Sequence, residues 1–329
     1  MKGTGPKLDI IISHYKEKWE IGEPMFKIIS LQRMIDFNDI RVILVNDGHD
    51  GAISQRFINR QHYPFETKVI TIQHGGVSAA RNAGMKAATA EWITFCDFDD
   101  TYTDIYSLYD VFSIFPARDF DLLWSKMLVE DQLKEEPWIY YSPERANFVF
   151  THAKFYRRSY LINNGFKFDT ELSYNEDSLF NALIIAVLDY KRIGEIKSHA
   201  PIYSWCRRKN SVTSRDGAKD PATWGHFCRN WKVIEFYIGR LPFERISGML
   251  VRSVYDTYYM LKAADISEEM HDQIEKEFRN KLALYGEYWA KPCEEHLEKI
   301  RWLACHELSD KGQIEDDFET VEKWVRQYF

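Results

Sequence analysis

The 329-residue chain lacks any C-x-x-C pair, and its five cysteines, Cys96, Cys206, Cys228, Cys293 and Cys305, are an odd number. Neither a disulfide framework nor a cysteine zinc site is expected, and a reducing cytoplasmic setting fits this usage. No segment approaches the roughly 18 uninterrupted apolar residues that a spanning helix requires, and residues 1–7 are polar rather than a basic stretch followed by an apolar one. A signal peptide and a membrane span are therefore not expected. Basic charge is not in excess either: 43 Lys and Arg face 50 Asp and Glu, for a net charge of -7. Nothing overall draws the chain toward nucleic acid or an anionic bilayer. Internal repeats and low-complexity tracts are also missing.

What is present is material for a core. Hydrophobic residues make up 45% of the chain and aromatic residues 15%, which excludes disorder and places it among globular proteins. This length suits one catalytic domain of about 200 residues with an extension. Short β-branched runs at residues 8–13, 41–45, 68–72 and 92–96 alternate with helical patterns at 24–37, 51–59 and 77–88. That βαβ rhythm predicts an α/β fold with a mainly parallel sheet flanked by helices. From about residue 121 to 205 the pattern turns α+β, with apolar runs at 122–124, 147–150 and 202–205 around helices near 157–163 and 175–188. Beyond Trp224 strand signals fade, while Ile246, Met249, Leu250, Val254, Tyr258 and Leu261 recur at helical spacing. The expected division is a first domain at 1–215, in two halves at 1–100 and 101–215. A helical C-terminal region follows at 216–329. Gly217 and Pro221 mark the loop between them.

In open α/β sheets ligands bind beyond the carboxyl ends of the strands. Those positions carry Ser13-His14-Tyr15, Asn46-Asp47-Gly48 and Asp97-Phe98-Asp99-Asp100. Asp97 and Asp99 follow the apolar run 92–96, which delivers two hard carboxylates to a strand end, where Mg2+ or Mn2+ could bridge the protein to a diphosphate. Alone, such a D-x-D also fits a solvated turn and helix cap. Isolated histidines, His14, His49, His62 and His152, have no metal-ligand spacing and read as structural.

The stretch from His74 through Gly84, with Gly76-Val77-Ser78-Ala79-Ala80-Arg81-Asn82-Ala83-Gly84 at its centre, followed by the apolar run and the D-x-D-D, resembles the central signature of the family 2 inverting glycosyltransferases with the GT-A fold. The opening strand through Tyr15, the Asn46-Asp47-Gly48 turn, Tyr174-Asn175-Glu176-Asp177 and residues 203–213 resemble further family segments in the right order. The resemblance covers residues 8–213 and departs from the family pattern at Ser13 and Lys16, at Asn46 and at His49.

The resemblance implies a metal-dependent transfer of a sugar from a UDP-sugar to a hydroxyl of a glycan or other polymer. Tyr15 beside Ser13 would stack on the base, and the Asp47 carboxylate would accept the uracil N3 proton. Arg81 would lie beside the nucleotide, Asp97 near the ribose and Asp99 on the Mn2+ or Mg2+. Asp177 would be the general base that an inverting transfer needs. Arg207, Arg208 and Ser211 would hold the diphosphate, with no choice made between the two arginines. Other readings stay open. A nucleotidyltransferase would call for a Gly-rich basic loop, which residues 8–20 lack. The run Arg207-Arg208-Lys209 would suit a non-catalytic nucleic-acid or polysaccharide-binding module, or an enzyme whose acceptor is nucleic acid. The C-terminal helices would position the acceptor or pair with a second copy.

Overall fold

The computed structural model of the chain describes residues 5–48, 51–116, 119–131, 138–141, 148–208, 219–263, 265–289 and 318–327. The chain divides into two compact units, one of Met1–Glu171 with Glu176–Arg215 and one of Leu172–Asn175 with Asp216–Phe329.

The first unit is built on a seven-stranded sheet. Strands β1 (Leu8–His14), β2 (Ile40–Asp47), β3 (Glu66–Ile72) and β4 (Trp92–Asp97) run parallel in the order β4-β1-β2-β3. The strands β1, β2 and β4 are apolar along most of their length because helices cover both faces, as buried parallel strands require. The helices α1 (Trp19–Ser30), α2 (Gln55–Asn59) and α3 (Gly76–Ala87) form the crossovers. A second, smaller sheet holds β5 (Thr101–Tyr102), β7 (Met127–Asp131), β8 (Trp138–Tyr141) and β11 (Tyr203–Arg207) in the order β5-β11-β7-β8. The chain passes between the sheets from β6 (Leu122–Trp124) into β7, and α4 (Ser107–Ile114) precedes this passage.

On the far side of β4 lies β9 (Lys154–Arg157), antiparallel to both β4 and β6, and β10 (Ile193–Glu195) closes that edge beside β6. Antiparallel pairing has a consequence for the site. It places the start of β9 at the carboxyl end of β4, so residues just before β9 join the crevice. Helix α5 (Arg158–Asn164) follows β9 and ends on Gly165 at φ 69°, and α6 (Glu176–Val187) presents its N-terminal carboxylates.

The four parallel strands agree with the sequence pattern, while several neighbouring elements differ from it. Helix α1 begins at Trp19 rather than 24 and holds Pro24 inside it. The Trp19 indole packs on Phe26, Phe57 and Phe98 at centroid distances of 5.0, 5.1 and 6.2 Å. That burial outweighs the one backbone bond Pro24 cannot donate. Helix α2 starts at 55 rather than 51, because Gly51 takes φ 77° and Ser54 caps the helix by accepting the Phe57 N–H at 3.1 Å. No strand forms at 148–150, and residue 147 lies outside the described residues. Ala153, at φ 54°, separates that segment from β9, which sequence patterning did not indicate. Charged residues interrupt the alternation of β7, and the smaller sheet was likewise not foreseen.

The second unit is helical among its described residues: α7 (Lys219–Tyr237), α8 (Phe243–Ala263), α9 (Glu268–Trp289) and α10 (Phe318–Arg326). Ile246, Leu250, Val254 and Tyr258 of α8 are buried at the spacing read from the sequence, and Trp231 meets Phe278 at 6.1 Å. No helix among the described residues is long and apolar enough to cross a membrane.

Helix α3 approaches β1 so closely that a Cβ at Gly84 would stand 2.3 Å from Cγ2 of Ile11. Gly84→Ala is therefore expected to destabilise the chain by about 1–3 kcal/mol, the cost of an over-packed core, read as a lower midpoint in denaturant unfolding. An unchanged midpoint would show that the helix can retreat from the strand at no cost.

Candidate active site

Strand register gathers the candidate residues at one edge: Ser13 is opposite Asp97, and His14 is opposite Asn46. Ser13 is half-buried there, and Tyr15 just beyond it is 42% exposed. Asn46 departs from the aspartate usual in the resembled family and is completely engaged. Its oxygen accepts the Ile53 N–H at 3.0 Å and meets His14 Nδ1 at 2.8 Å, while its amide donates to the Ile53 carbonyl at 3.0 Å and to the Thr71 hydroxyl at 3.2 Å. A carboxylate could accept but not donate, so the amide fits this buried junction. His14 also meets the Glu17 carbonyl, at 2.9 Å, and is structural as read. His62 sits outside this edge with φ 53°, and His49 lies outside the described residues.

Asp47 is 4% exposed and accepts the Gly75 N–H at 2.7 Å and the Gly76 N–H at 2.9 Å, with His74 Nδ1 at 2.8 Å. Helix α3 has no side-chain cap of its own. Asp47 supplies one from the neighbouring strand, where its charge also faces the positive helix end. The His74 ring stacks on Tyr15 at 4.4 Å with 12° between planes. Tyr15, His74 and Asp47 thus form one continuous array, and sequence reasoning had given His74 no part in it.

The centre of the edge is a charge network around Arg81. Its guanidinium is 4% exposed and donates to Asp97 Oδ1 and to Glu176 Oε1, each at 2.9 Å. Rather than opening onto a crevice, Arg81 joins β4 to the first turn of α6. The adjacent Asn82 acts in parallel: its amide donates to the Phe168 carbonyl at 2.8 Å and its oxygen accepts the Phe168 N–H at 2.9 Å. Consecutive motif residues on α3 therefore anchor the segment that leads toward α6.

Asp97 keeps 30% of its side chain exposed, so the carboxylate still faces solvent while both oxygens have protein partners. Burial disfavours its charge, but Arg81 and His152 outweigh that and hold its carboxyl well below the usual range. His152 is 5% exposed; its Nε2 lies 3.2 Å from Asp97 Oδ2 and 3.6 Å from Asp100 Oδ2. Although burial opposes its charge, these carboxylates push the imidazole pKa up. Asp100 is fully buried and accepts from the Tyr203 hydroxyl at 2.6 Å and the Cys206 N–H at 2.8 Å. Burial pushes its pKa up, against the pull of His152 and with repulsion from Asp97 and Asp99.

Ligand atoms of Asp97, Asp100 and His152 lie within 4.8 Å of one another, a donor set that could hold a metal ion. Asp99, the expected metal ligand, is not in that group. Its Oδ2 accepts from Arg208 Nε at 2.9 Å and Nη2 at 2.5 Å. Arg207 lies over the Trp205 ring at 5.6 Å. The structure thus separates the two arginines: Arg208 meets the D-x-D and Arg207 rests on an aromatic face. Ser211 lies outside the described residues.

At the start of α6, Asp177 is half-buried and its Oδ1 accepts the Ser178 N–H at 2.6 Å. Burial raises its pKa, opposed by Arg81 and His152. Glu176 is raised as well, by burial and by its neighbour Asp177. The edge therefore offers solvent-facing carboxylates beside fixed cations, and a carboxylate of raised basicity on a nearby helix. Sequence reasoning missed the roles of His152 and Tyr203, which the antiparallel placement of β9 and the second sheet bring to Asp97 and Asp100, and the partnership of Arg81 with Glu176, which joins helices 95 residues apart.

A profile described as Glycosyl transferase family 2 matches residues 9–168. Among curated proteins the chain is 25% identical over 256 residues to the uncharacterized glycosyltransferase EpsJ of Bacillus subtilis, covering 70% of each chain. It is 23% identical over 287 residues to the poly(ribitol-phosphate) β-N-acetylglucosaminyltransferase TarS of Staphylococcus aureus, covering 84% of this chain but 44% of that one. In fold it is similar to the crystal structure of S. aureus TarS 1–349 in complex with UDP, with a TM-score of 0.63 and 17% identity, over 98% of this chain and 91% of that one.

Because Asp47 caps α3, Asp47→Ala is expected to cost about 0.5–2 kcal/mol of stability, the usual loss for removing a helix cap. A lower thermal midpoint measured without nucleotide checks this. A midpoint unchanged from the parent would mean the carboxylate is held in place solely for a ligand.

Proposed function

We propose that this chain, whose residues 9–168 match the glycosyl transferase family 2 profile, transfers a sugar, with inversion, from a UDP-sugar to a hydroxyl of a polymeric acceptor. The observation that carries this reading is the Arg81 bridge, which ties Asp97 at the strand edge to Glu176, the immediate neighbour of Asp177. An inverting transfer needs this pairing of parts: groups that face the donor, and one base poised for the acceptor. Similarity to TarS, which is named for N-acetylglucosamine transfer to poly(ribitol-phosphate), makes UDP-N-acetylglucosamine and a polyol-phosphate polymer the first donor and acceptor to test.

In this reading Tyr15 and Asp47 receive the uracil end of the donor and Asp97 the ribose. Arg207 and Arg208 meet the diphosphate, Arg208 by leaving Asp99, with Ser211 assigned to the same loop. Asp177 removes the proton from the acceptor hydroxyl. The oxygen then attacks the anomeric carbon opposite the departing UDP, so an α-linked donor gives a β-linked product. The carboxylates of Asp97 and Asp100 form a hard oxygen set with His152 at their side, which fits Mg2+ or Mn2+, and Asp99 would join it once Arg208 leaves. A divalent cation bound there supplies positive charge against the leaving diphosphate.

We assign residues 1–215 to catalysis and 216–329 to acceptor handling or pairing with a second copy, the latter checked by light scattering of the full chain. A module that only bound nucleic acid or polysaccharide would have no use for a raised carboxylate at Asp177.

Asp177→Asn is expected to bind UDP normally yet lose sugar transfer at least about a hundredfold, since the amide keeps size and capping but accepts no proton. Normal transfer would move the base to another carboxylate; lost UDP binding would place Asp177 in the donor site. Asp99→Asn is expected to weaken Mn2+-dependent UDP binding, and an unaltered Mn2+ titration would remove Asp99 from the metal site.

A further inference from the structure

Asp97 is gripped from two sides. Arg81 on α3 takes Oδ1, and His152, ahead of β9, takes Oδ2. The imidazole is not free to turn: it lies nearly parallel to the rings of Phe150, at 5.9 Å and 13°, and Tyr203, at 5.3 Å and 14°. Its Nδ1 is buried without a partner, so the ring is oriented through Nε2. The backbone beside it is strained as well. Ala153 holds φ 54°, a conformation that costs a residue bearing Cβ about 1–2 kcal/mol. The Ser125 N–H, donating to the Ala153 carbonyl at 2.9 Å, keeps it there.

Stacking alone would be served by a phenylalanine and needs no nitrogen. The strained turn delivers a nitrogen to Asp97 and, 3.6 Å away, to Asp100, which in turn holds Tyr203 and Cys206 of β11. We propose that His152 is a positioning residue of the donor site, fixing the carboxylate of Asp97 toward the nucleotide and linking it through Asp100 to the strand that carries Arg207. The inference rests on reading this edge as a UDP-sugar site.

The test is calorimetric titration of UDP with Mn2+ into the full chain and three variants. His152→Phe keeps the stack without the bond, His152→Asn is polar but too short to reach Asp97, and His152→Gln places an amide N–H where Nε2 stands. The Phe and Asn variants are expected to bind UDP about tenfold more weakly and the Gln variant within about threefold of the parent, the loss and recovery of one hydrogen bond to a charged group. The Asn variant decides the matter if the Phe variant does not fold. Parent-like UDP affinity in the Phe or Asn variant overturns the inference, as does affinity that tracks thermal midpoint across all three. If the parent binds no UDP, the functional reading falls and takes this inference with it; if parent and Phe variant bind alike, only the inference falls.

Discussion

A guanidinium buried at the edge of a parallel sheet must be met by negative charge, and Arg81 meets this requirement with Asp97 and Glu176, 16 and 95 residues away in sequence. Removing one member of such a buried set typically costs about 3–5 kcal/mol, because the charges left behind have lost both water and partner. The arrangement of the edge follows from that constraint. With Oδ1 of Asp97 fixed by Arg81, its second oxygen can meet His152, and the strain at Ala153 is tolerated to bring His152 there. With Glu176 fixed by the same cation, the first turn of α6 is set, and Asp177 with it.

Much of this was legible in the sequence, for identifiable reasons. Parallel strands buried on both faces must be apolar along their length, so β1, β2 and β4 announced themselves, and the acidic residues after them fell at the carboxyl edge. Gly84 and Asn82 of the Gly-rich motif have structural roles that the pattern carried without explaining: one permits helix α3 to close on Ile11, the other clamps the backbone at Phe168. Asn46 in place of aspartate looked like a weakness in the resemblance, yet it is a buried junction that needs a donor as well as an acceptor.

What the sequence concealed was long-range. No local spacing connects His152 to Asp97, 55 residues apart, or Tyr203 to Asp100, 103 residues apart. Their meeting depends on β9 running against its neighbours and on a second sheet whose strands are short. Asp99 and Asp100 also exchanged prominence. The family resemblance put Asp99 on the metal, whereas Asp100 is the residue buried against β11 and Asp99 turns to Arg208.

In the proposed donor site the Asp99–Arg208 pair would make two binding events interdependent. A cation that binds Asp99 through the oxygen Arg208 now occupies must release that guanidinium, and an anion that draws Arg208 away must uncover that oxygen. By thermodynamic reciprocity each event then eases the other by the same factor. An arrangement of this kind pairs the carboxylate with a cation of the protein's own, and in the proposed site it would make cation affinity a property of the nucleotide concentration rather than of the protein alone.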